Sequence, residues 1–275
     1  MSGFLDEMAR SSMLRVVQAA QRESIGALER RAEQTAAAPA LRLSPAGFDV
    51  IAELKLRSPA AGALAGSGDD WPARIVQYAR GGAAAVSVLT EPSRFDGSLT
   101  HLRQAAVMLA PLGIPAMRKD FIVDPYQVLE ARAAGAGGVL IILRMLSRTR
   151  IGELLSVAAH HRLFVLLEAF DAEDLDLVRD LADPSRLPAA PLLVGVNSRD
   201  LKTLDVVQDR FSDLAPLLPA GWPAVAESGV ATAADARRMR QLGYRLALIG
   251  TALMACEDPA ALLSEILHAT RTVQS

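Results

Sequence analysis

Eight short apolar runs decide what this chain can fold into. They cover residues 48–54, 84–89, 114–117, 138–143, 163–167, 192–196, 224–226 and 246–249. They begin roughly 22 to 36 residues apart, the length of a strand–helix unit. A polar cluster and a helical segment follow each run. Near-continuous Val, Ile, Leu and Ala suits strands covered on both faces, as in a parallel sheet. Eight such units in about 230 residues fit one (β/α)8 barrel. A doubly wound sheet is the alternative, but no Gly-x-Gly-x-x-Gly follows the first run.

Ahead of the runs, Leu5, Met8, Leu14, Val17, Ile25 and Leu28 recur among charges over residues 5–35, a helical period. A Pro- and Ala-rich stretch at 36–45 interrupts it. The expected organisation is an N-terminal helical extension over 1–47 and a barrel over 48–275, one domain in all. The longest irregular stretch inside the barrel is "LADPSRLPAAPLL", before the sixth run.

Bulk properties exclude several function classes. With 275 residues, 51% of them hydrophobic, the chain can bury a large core. A formal net charge of -2 gives no basic excess for nucleic acid and no acidic tail. Cys256 is the only cysteine, so neither a disulfide framework nor a thiolate metal site is expected, and its expected role is a small apolar filler. The apolar runs are too short to span a bilayer. Asp6 and Glu7 stand where a signal peptide would be apolar, so the expectation is a cytoplasmic protein with no membrane or nucleic-acid partner.

The residues that close the runs carry the chemistry. The first gives Glu53, then Lys55 and Ser58; the second Thr90 and Glu91; the third, "PAMRKDF", gives Lys119 and Asp120. The fifth gives Glu168, the sixth Asn197 and Arg199, the seventh Glu227 and Ser228, the eighth Gly250 and Thr251. In a parallel barrel all these C-terminal ends share one face, where the active site sits. Solvation accounts for one charged strand end; lysines, glutamates, an arginine and an asparagine around one mouth point to a pocket. "ESGV" (227–230) and "IGTAL" (249–253) put small residues after the seventh and eighth strands. There backbone N–H groups can approach an anion at a short helix N-terminus, the usual phosphate position of such barrels. Lys55, Lys119 and Arg199 add positive charge, so a polyanion carrying phosphate and carboxylate is expected. Glu53, Glu168 and Glu227 supply carboxylates, and a lysine facing a glutamate makes an acid–base pair. His101, His160, His161 and His268 lie in helical segments away from the strand ends, and the interleaved lysines make the carboxylates read as charge-paired rather than as Mg²⁺ ligands.

These motifs together resemble a known family. "IAELKLRSPAAG", "VSVLTEPSRFDGS", "RKDFIVDPYQVLEARAAGA", "LLEAFDAEDL", "VGVNSRDLKTL", "AESGV" and "IGTALM" are similar, in order, to the strand-end motifs of indole-3-glycerol phosphate synthases. The resemblance covers roughly residues 48–255, and the N-terminal helices suit that family's extra segment over the barrel mouth. It implies ring closure of 1-(2-carboxyphenylamino)-1-deoxyribulose 5-phosphate to indole-3-glycerol phosphate, with loss of CO₂ and water, in tryptophan biosynthesis and without a cofactor. It implies Lys119 as general acid and Glu168 as acid or base in the dehydration. Lys55, paired with Glu53, would orient substrate anions or share the acid role, and Glu227 would set the field around the ammonium groups. Asn197, Arg199 and Ser58 would hold the substrate carboxylate and hydroxyls. Backbone groups at Ser228, Gly229, Gly250 and Thr251 would bind phosphate, and Phe95 and Phe121 would wall the aromatic ring. Asp120 would fix the orientation of Lys119. The expected assembly is a monomer or weak homodimer. The first loop departs from the family pattern: Ala60 stands where Ser is common, and Leu56 where a basic residue often follows the lysine. A paralogous sugar-phosphate-binding barrel with an altered substrate, or with no catalysis, is the alternative.

Overall fold

The computed structural model describes residues 3–45, 47–58, 62–63, 70–181, 191–200, 203, 205–207 and 209–271. Eight parallel strands close into a barrel: β1 (Asp49–Leu54), β2 (Ala85–Leu89), β3 (Ala116–Lys119), β4 (Gly138–Ile142), β5 (Phe164–Ala169), β6 (Leu192–Asn197), β7 (Ala224–Glu227) and β8 (Leu246–Ile249). Each pairs with its sequence neighbour, and β8 pairs with β1 to close the ring. Helices run between the strands, from Trp71–Arg80 after β1 to Pro259–Arg271 after β8. Among the described residues no helix is long and apolar enough to cross a membrane.

The pleat sorts every strand into two faces. Val50, Ala52 and Leu54 of β1 join the outer layer beneath the helices, as do Val165, Leu167 and Ala169 of β5. Ile51, Met117, Leu140, Leu166, Leu193 and Val225 form the inner layer that fills the barrel. Each such buried side chain is worth about 1.5–3 kcal/mol relative to its exposed state. Two residues above this layer, on the same side of each strand, come Glu53, Lys119, Glu168, Gly195 and Glu227. Because side chains alternate with a period of two, apolar plug and polar mouth are one alternation read along each strand.

Four of the strands outlast their apolar runs. The third begins at Ala116 rather than at 114, and it runs on through Lys119. The fifth, sixth and seventh include Glu168, Asn197 and Glu227. A polar side chain ends an apolar run but not a backbone ladder, and here the ladder continues because these side chains meet one another across the mouth. "LADPSRLPAAPLL" lies mostly outside the described residues, since 182–190 are not among them.

Before the barrel come two helices, α1 (Phe4–Arg22) and α2 (Ile25–Gln34). Met8 of α1 enters the inner apolar cluster, with Phe4 packed against it. Polar bonds fix the rest of α1 against the loop after β3. Ser12 Oγ donates to the Phe121 carbonyl, Gln127 Nε2 donates to Ser12 Oγ at 3.2 Å, and Arg15 grips both oxygens of Asp120 at 2.7 and 2.9 Å. The Pro125–Ala133 helix that supplies Gln127 starts on Asp124, whose capping box and following proline set its first turn. On α2, Leu28 and Ala32 bury against Tyr126, Leu129 and Ala133 of that same helix.

Candidate active site

A cavity of about 440 Å³ opens at the C-terminal end of the barrel, a volume suited to a small-molecule ligand. At its floor the Lys119 ammonium stands 3.1 Å from Glu168 Oε2 and 3.4 Å from Glu227 Oε2. Asn197 Nδ2 donates to Glu168 Oε1 at 3.0 Å, so both oxygens of Glu168 are engaged. Asn197 Oδ1 in turn accepts from Ser228 Oγ and from the Arg199 backbone N–H, each at 3.0 Å. That network fixes the amide so that its nitrogen faces the glutamate. Across the mouth Lys55 pairs with Glu53 at 3.0 Å.

The electrostatics follow from burial and neighbours. Burial alone would lower the Lys119 pKa, but Glu168, Glu227 and Glu53 outweigh it and hold the ammonium well above the ordinary lysine range. For Glu53, burial raises the pKa, and Lys55 and Lys119 more than reverse it, leaving a stable carboxylate. Glu227 goes the other way. Burial comes first and the negative Glu168 second, and Lys119 offsets them only in part, so its pKa lies well above the ordinary glutamate value. Its Oε1 has no hydrogen-bond partner among the described residues.

The upper cavity has two chemically distinct sides. After β7 and β8, Ser228–Ala231 and Gly250–Ala252 line it. Ser228 and Gly229 both take the left-handed conformation (φ 65° and 78°), which turns the chain sharply beneath the opening. Gly250 precedes the short helix Thr251–Ala255. The opposite side is apolar. Phe121 stands edge-on to Phe4 at 5.7 Å between ring centres and tilted to Phe95 at 6.2 Å, with Leu89, Leu140 and Ile142 nearby. One side can therefore meet an anion with backbone N–H groups and the other can hold an aromatic ring. Among the described residues no group of three or more His, Cys, Asp or Glu could hold a metal ion. The four histidines sit in helices or at a helix end, away from the cavity.

A family model described as indole-3-glycerol phosphate synthase matches residues 5–266 of the chain. An indole-3-glycerol phosphate synthase from Leifsonia xyli subsp. xyli is 40% identical over 271 residues, covering 96% of this chain and 95% of that one. One from Mycolicibacterium smegmatis is 40% identical over 256 residues, covering 91% and 89%. The chain belongs to the indole-3-glycerol phosphate synthase family. Such enzymes are carboxy-lyases of tryptophan biosynthesis. Solved structures share its barrel at low identity. A 3-hexulose-6-phosphate synthase from Salmonella typhimurium gives a TM-score of 0.61 at 13% identity over 81% of this chain and 98% of that one. A tryptophan synthase from M. tuberculosis gives 0.57 at 15% identity over 91% and 100%. These two likenesses concern the fold alone.

In this synthase-family barrel, Glu53, Lys55, Phe95, Lys119, Phe121, Glu168, Asn197, Arg199, Glu227, Ser228, Gly229, Gly250 and Thr251 all border one cavity. Ser58 lies in a two-residue strand pairing with Gly62–Ala63, and Ala60 is outside the described residues. Leu56 packs against the outer core, and Arg57 stands 3.7 Å from Asp96.

Other strand-end residues serve structure. Asp120 does not orient Lys119. It follows Lys119 directly, so its carboxylate leaves the strand on the other side, where Arg15, Arg118, Thr90 Oγ1 and the Phe121 N–H hold it. Thr90 belongs to that network, and Glu91 caps the Pro92–Phe95 helix through the Ser93 and Arg94 N–H groups. Cys256 is only half-buried, its thiol 3.5 Å from the Leu253 carbonyl. Phe4 is an aromatic cavity residue that sequence reasoning missed. The helical period over 5–35 marked an apolar face, but nothing in it told where that face would dock.

Proposed function

We propose that this chain closes the indole ring of indole-3-glycerol phosphate, with Lys119 as the general acid. The substrate, 1-(2-carboxyphenylamino)-1-deoxyribulose 5-phosphate, carries a phosphate, a carboxylate and an aromatic ring. The cavity offers a counterpart to each: the turns after β7 and β8 to the phosphate, cationic side chains to the carboxylate, and the Phe4–Phe95–Phe121 wall to the ring. As the carboxyl-bearing ring carbon attacks the ketone, Lys119 protonates the carbonyl oxygen that would otherwise become an alkoxide. Loss of CO₂ restores the aromatic ring. The new hydroxyl then leaves as water, and Glu168 moves the protons of that step. Lys55, held by Glu53, orients the substrate anion, and Asn197, Arg199 and Ser58 hold carboxylate and hydroxyls. We place the reaction in the cytoplasm, supported by a chain with a single cysteine.

The observation that carries this reading is the Lys119 ammonium set between Glu168 and Glu227 beside an aromatic wall. Glu168, Glu227 and Glu53 keep it protonated until the step, and the alkoxide that develops as the ring closes is the base that takes the proton. Adding the substrate to the purified chain should produce indole fluorescence. No signal at micromolar enzyme would overturn the assignment. Glu168→Gln keeps the shape and removes proton transfer, so kcat should fall by more than KM changes.

A further inference from the structure

Gly195 is the one residue of β6 whose side matters by being empty. It faces inward between Leu193 and Asn197, in a strand otherwise built from Leu, Val and Asn. Glycine weakens a strand interior, and its presence there commonly marks a close approach. A Cβ built at 195 would stand 1.9 Å from Glu227 Oε1, 3.0 Å from Glu227 Cδ and 3.1 Å from Leu166 Cδ1. No side chain tolerates the first of these distances. The register explains the geometry. Gly195 lies directly beside Glu168 of β5, and Asn197, two residues on, lies beside Glu227 of β7. Glu227 therefore leans back across the bare Cα of Gly195 and brings its carboxyl down to the level of Glu168.

We propose that Gly195 is a positioning residue: by leaving β6 bare it lets the Glu168 and Glu227 carboxyls meet under one ammonium, Lys119, as a pair that shares a proton. The inference rests on the functional reading above. Lys119 from β3 is the charged group that faces both members of the pair, and Glu53 from β1, itself near Lys55 and Arg199, faces Lys119. Two full negative charges beside Lys119 would bind its proton too tightly for an acid. One proton on the pair removes one of them and brings the ammonium nearer to useful acidity, since a general acid works best with a pKa near the working pH. The proton that Lys119 gives up can then be replaced from the pair; it leaves in the water lost later, and the pair is recharged by one proton from solvent, the one that loss of CO₂ from a carboxylate consumes overall. The unmet Glu227 Oε1 is the position at which such a proton can reside.

Gly195→Ala tests this. The displaced Glu227 carboxyl should lower kcat about 10²-fold, the usual cost of roughly 1 Å of misplacement, with KM within about threefold. The limb of the kcat–pH profile set by Glu227 should move to lower pH, because a Glu227 carboxyl moved away from Glu168 loses one of the causes that raise it. In a Glu227→Ala background the same substitution should leave kcat unchanged, since its clash with that carboxyl is gone and only Leu166 Cδ1, at 3.1 Å, has to yield slightly. If Gly195→Ala does not fold alone, Gly195→Ala/Glu227→Ala compared with Glu227→Ala still decides, equality supporting the proposal. Unchanged kcat and pH profile in Gly195→Ala, or an equal loss in the Glu227→Ala background, would overturn it. If Lys119→Ala and Glu168→Gln lose activity while Gly195→Ala keeps it, the positioning role fails and the functional reading stands. If Lys119→Ala and Glu168→Gln both keep activity, the functional reading itself fails.

Discussion

Lys119 and Asp120 are adjacent in the chain and belong to two different buried ionic clusters. Lys119 faces the barrel mouth with Glu168 and Glu227. Asp120 faces the seam between barrel and α1 with Arg118 and Arg15, and Arg118 continues to Glu130 at 3.0 Å. The seam cluster is saturated at its acid: Oδ1 accepts from Arg15 and the Phe121 N–H, and Oδ2 from Arg15, Arg118 and Thr90. The mouth cluster is not, since Glu227 keeps an unmet oxygen. The two acids shift accordingly. Burial raises both, but at Asp120 the two arginines and Thr90 win and hold it far below the ordinary range, whereas at Glu227 burial and Glu168 win. A carboxylate with every lone pair engaged is fixed as architecture. One short of partners beside an open cavity can take part in chemistry.

Mutating one member of each cluster should give opposite phenotypes. Lys119→Ala should lower kcat per folded molecule by roughly 10²–10⁴, the range typical of general acid–base catalysis, beyond any stability lost by leaving Glu168 and Glu227 without their ammonium. Lys119→Arg should not restore it, because a guanidinium does not readily release a proton. Steady-state indole fluorescence measures both. If Lys119→Ala retained more than about a tenth of kcat, the mouth cluster would be architecture too.

Asp120→Ala should do the reverse. It takes one of two carboxylate partners from Arg118, which is only 1% exposed and keeps Glu130, so the loss should approach but not exceed the roughly 3–5 kcal/mol of a buried pair broken on one side. Urea unfolding should show the loss, while kcat per folded molecule stays near wild type. A fall in kcat matching that of Lys119→Ala, at unchanged stability, would erase the distinction between the clusters.

The pH dependence of stability should carry opposite signs. Asp120 has a folded pKa below its unfolded value near 3.8, so its contribution is present at neutral pH and is lost as pH falls below that value. Glu227 has a folded pKa above its unfolded value near 4.5. Its contribution is full below 4.5 and is lost as pH rises through the folded pKa. Denaturation midpoints followed from acid to neutral pH should lose the first trend in Asp120→Asn and the second in Glu227→Gln.

Smaller effects are expected further out. Arg15 is 25% exposed, and Asp120 keeps Arg118 without it. Arg15→Ala should cost about 1.5–3 kcal/mol for the lost charged hydrogen bonds, discounted toward the lower end for solvent screening. The smallest change belongs to Ala60→Ser in the first loop. At most one added hydrogen bond should lower KM by the equivalent of about 0.5–1.5 kcal/mol, with kcat unchanged. A gain in kcat of orders of magnitude there would mark this barrel as a repurposed relative.

The sequence by itself determined the barrel and the membership of its mouth. Eight apolar runs at the spacing of strand–helix units, each closed by polar residues, are enough, because strands that share one direction must end on one face. Period-two alternation also sets which of two adjacent residues points in. That is why Lys119 was legible as a site residue, and why assigning Asp120 to hold it was wrong: neighbours in an extended chain face apart. What the sequence could not determine was which strand ends meet. Lys119 finds Glu168 49 residues away and Glu227 108 residues away, and Asp120 finds Arg15 105 residues away. Phe4 reaches the cavity only because α1 docks there, and Gly195 matters only because Glu227 leans across it. Alternation and spacing are local properties that the backbone imposes on any sequence. Closure of the ring and the docking of α1 are decided by packing between distant segments, and only the tertiary structure contains those distances.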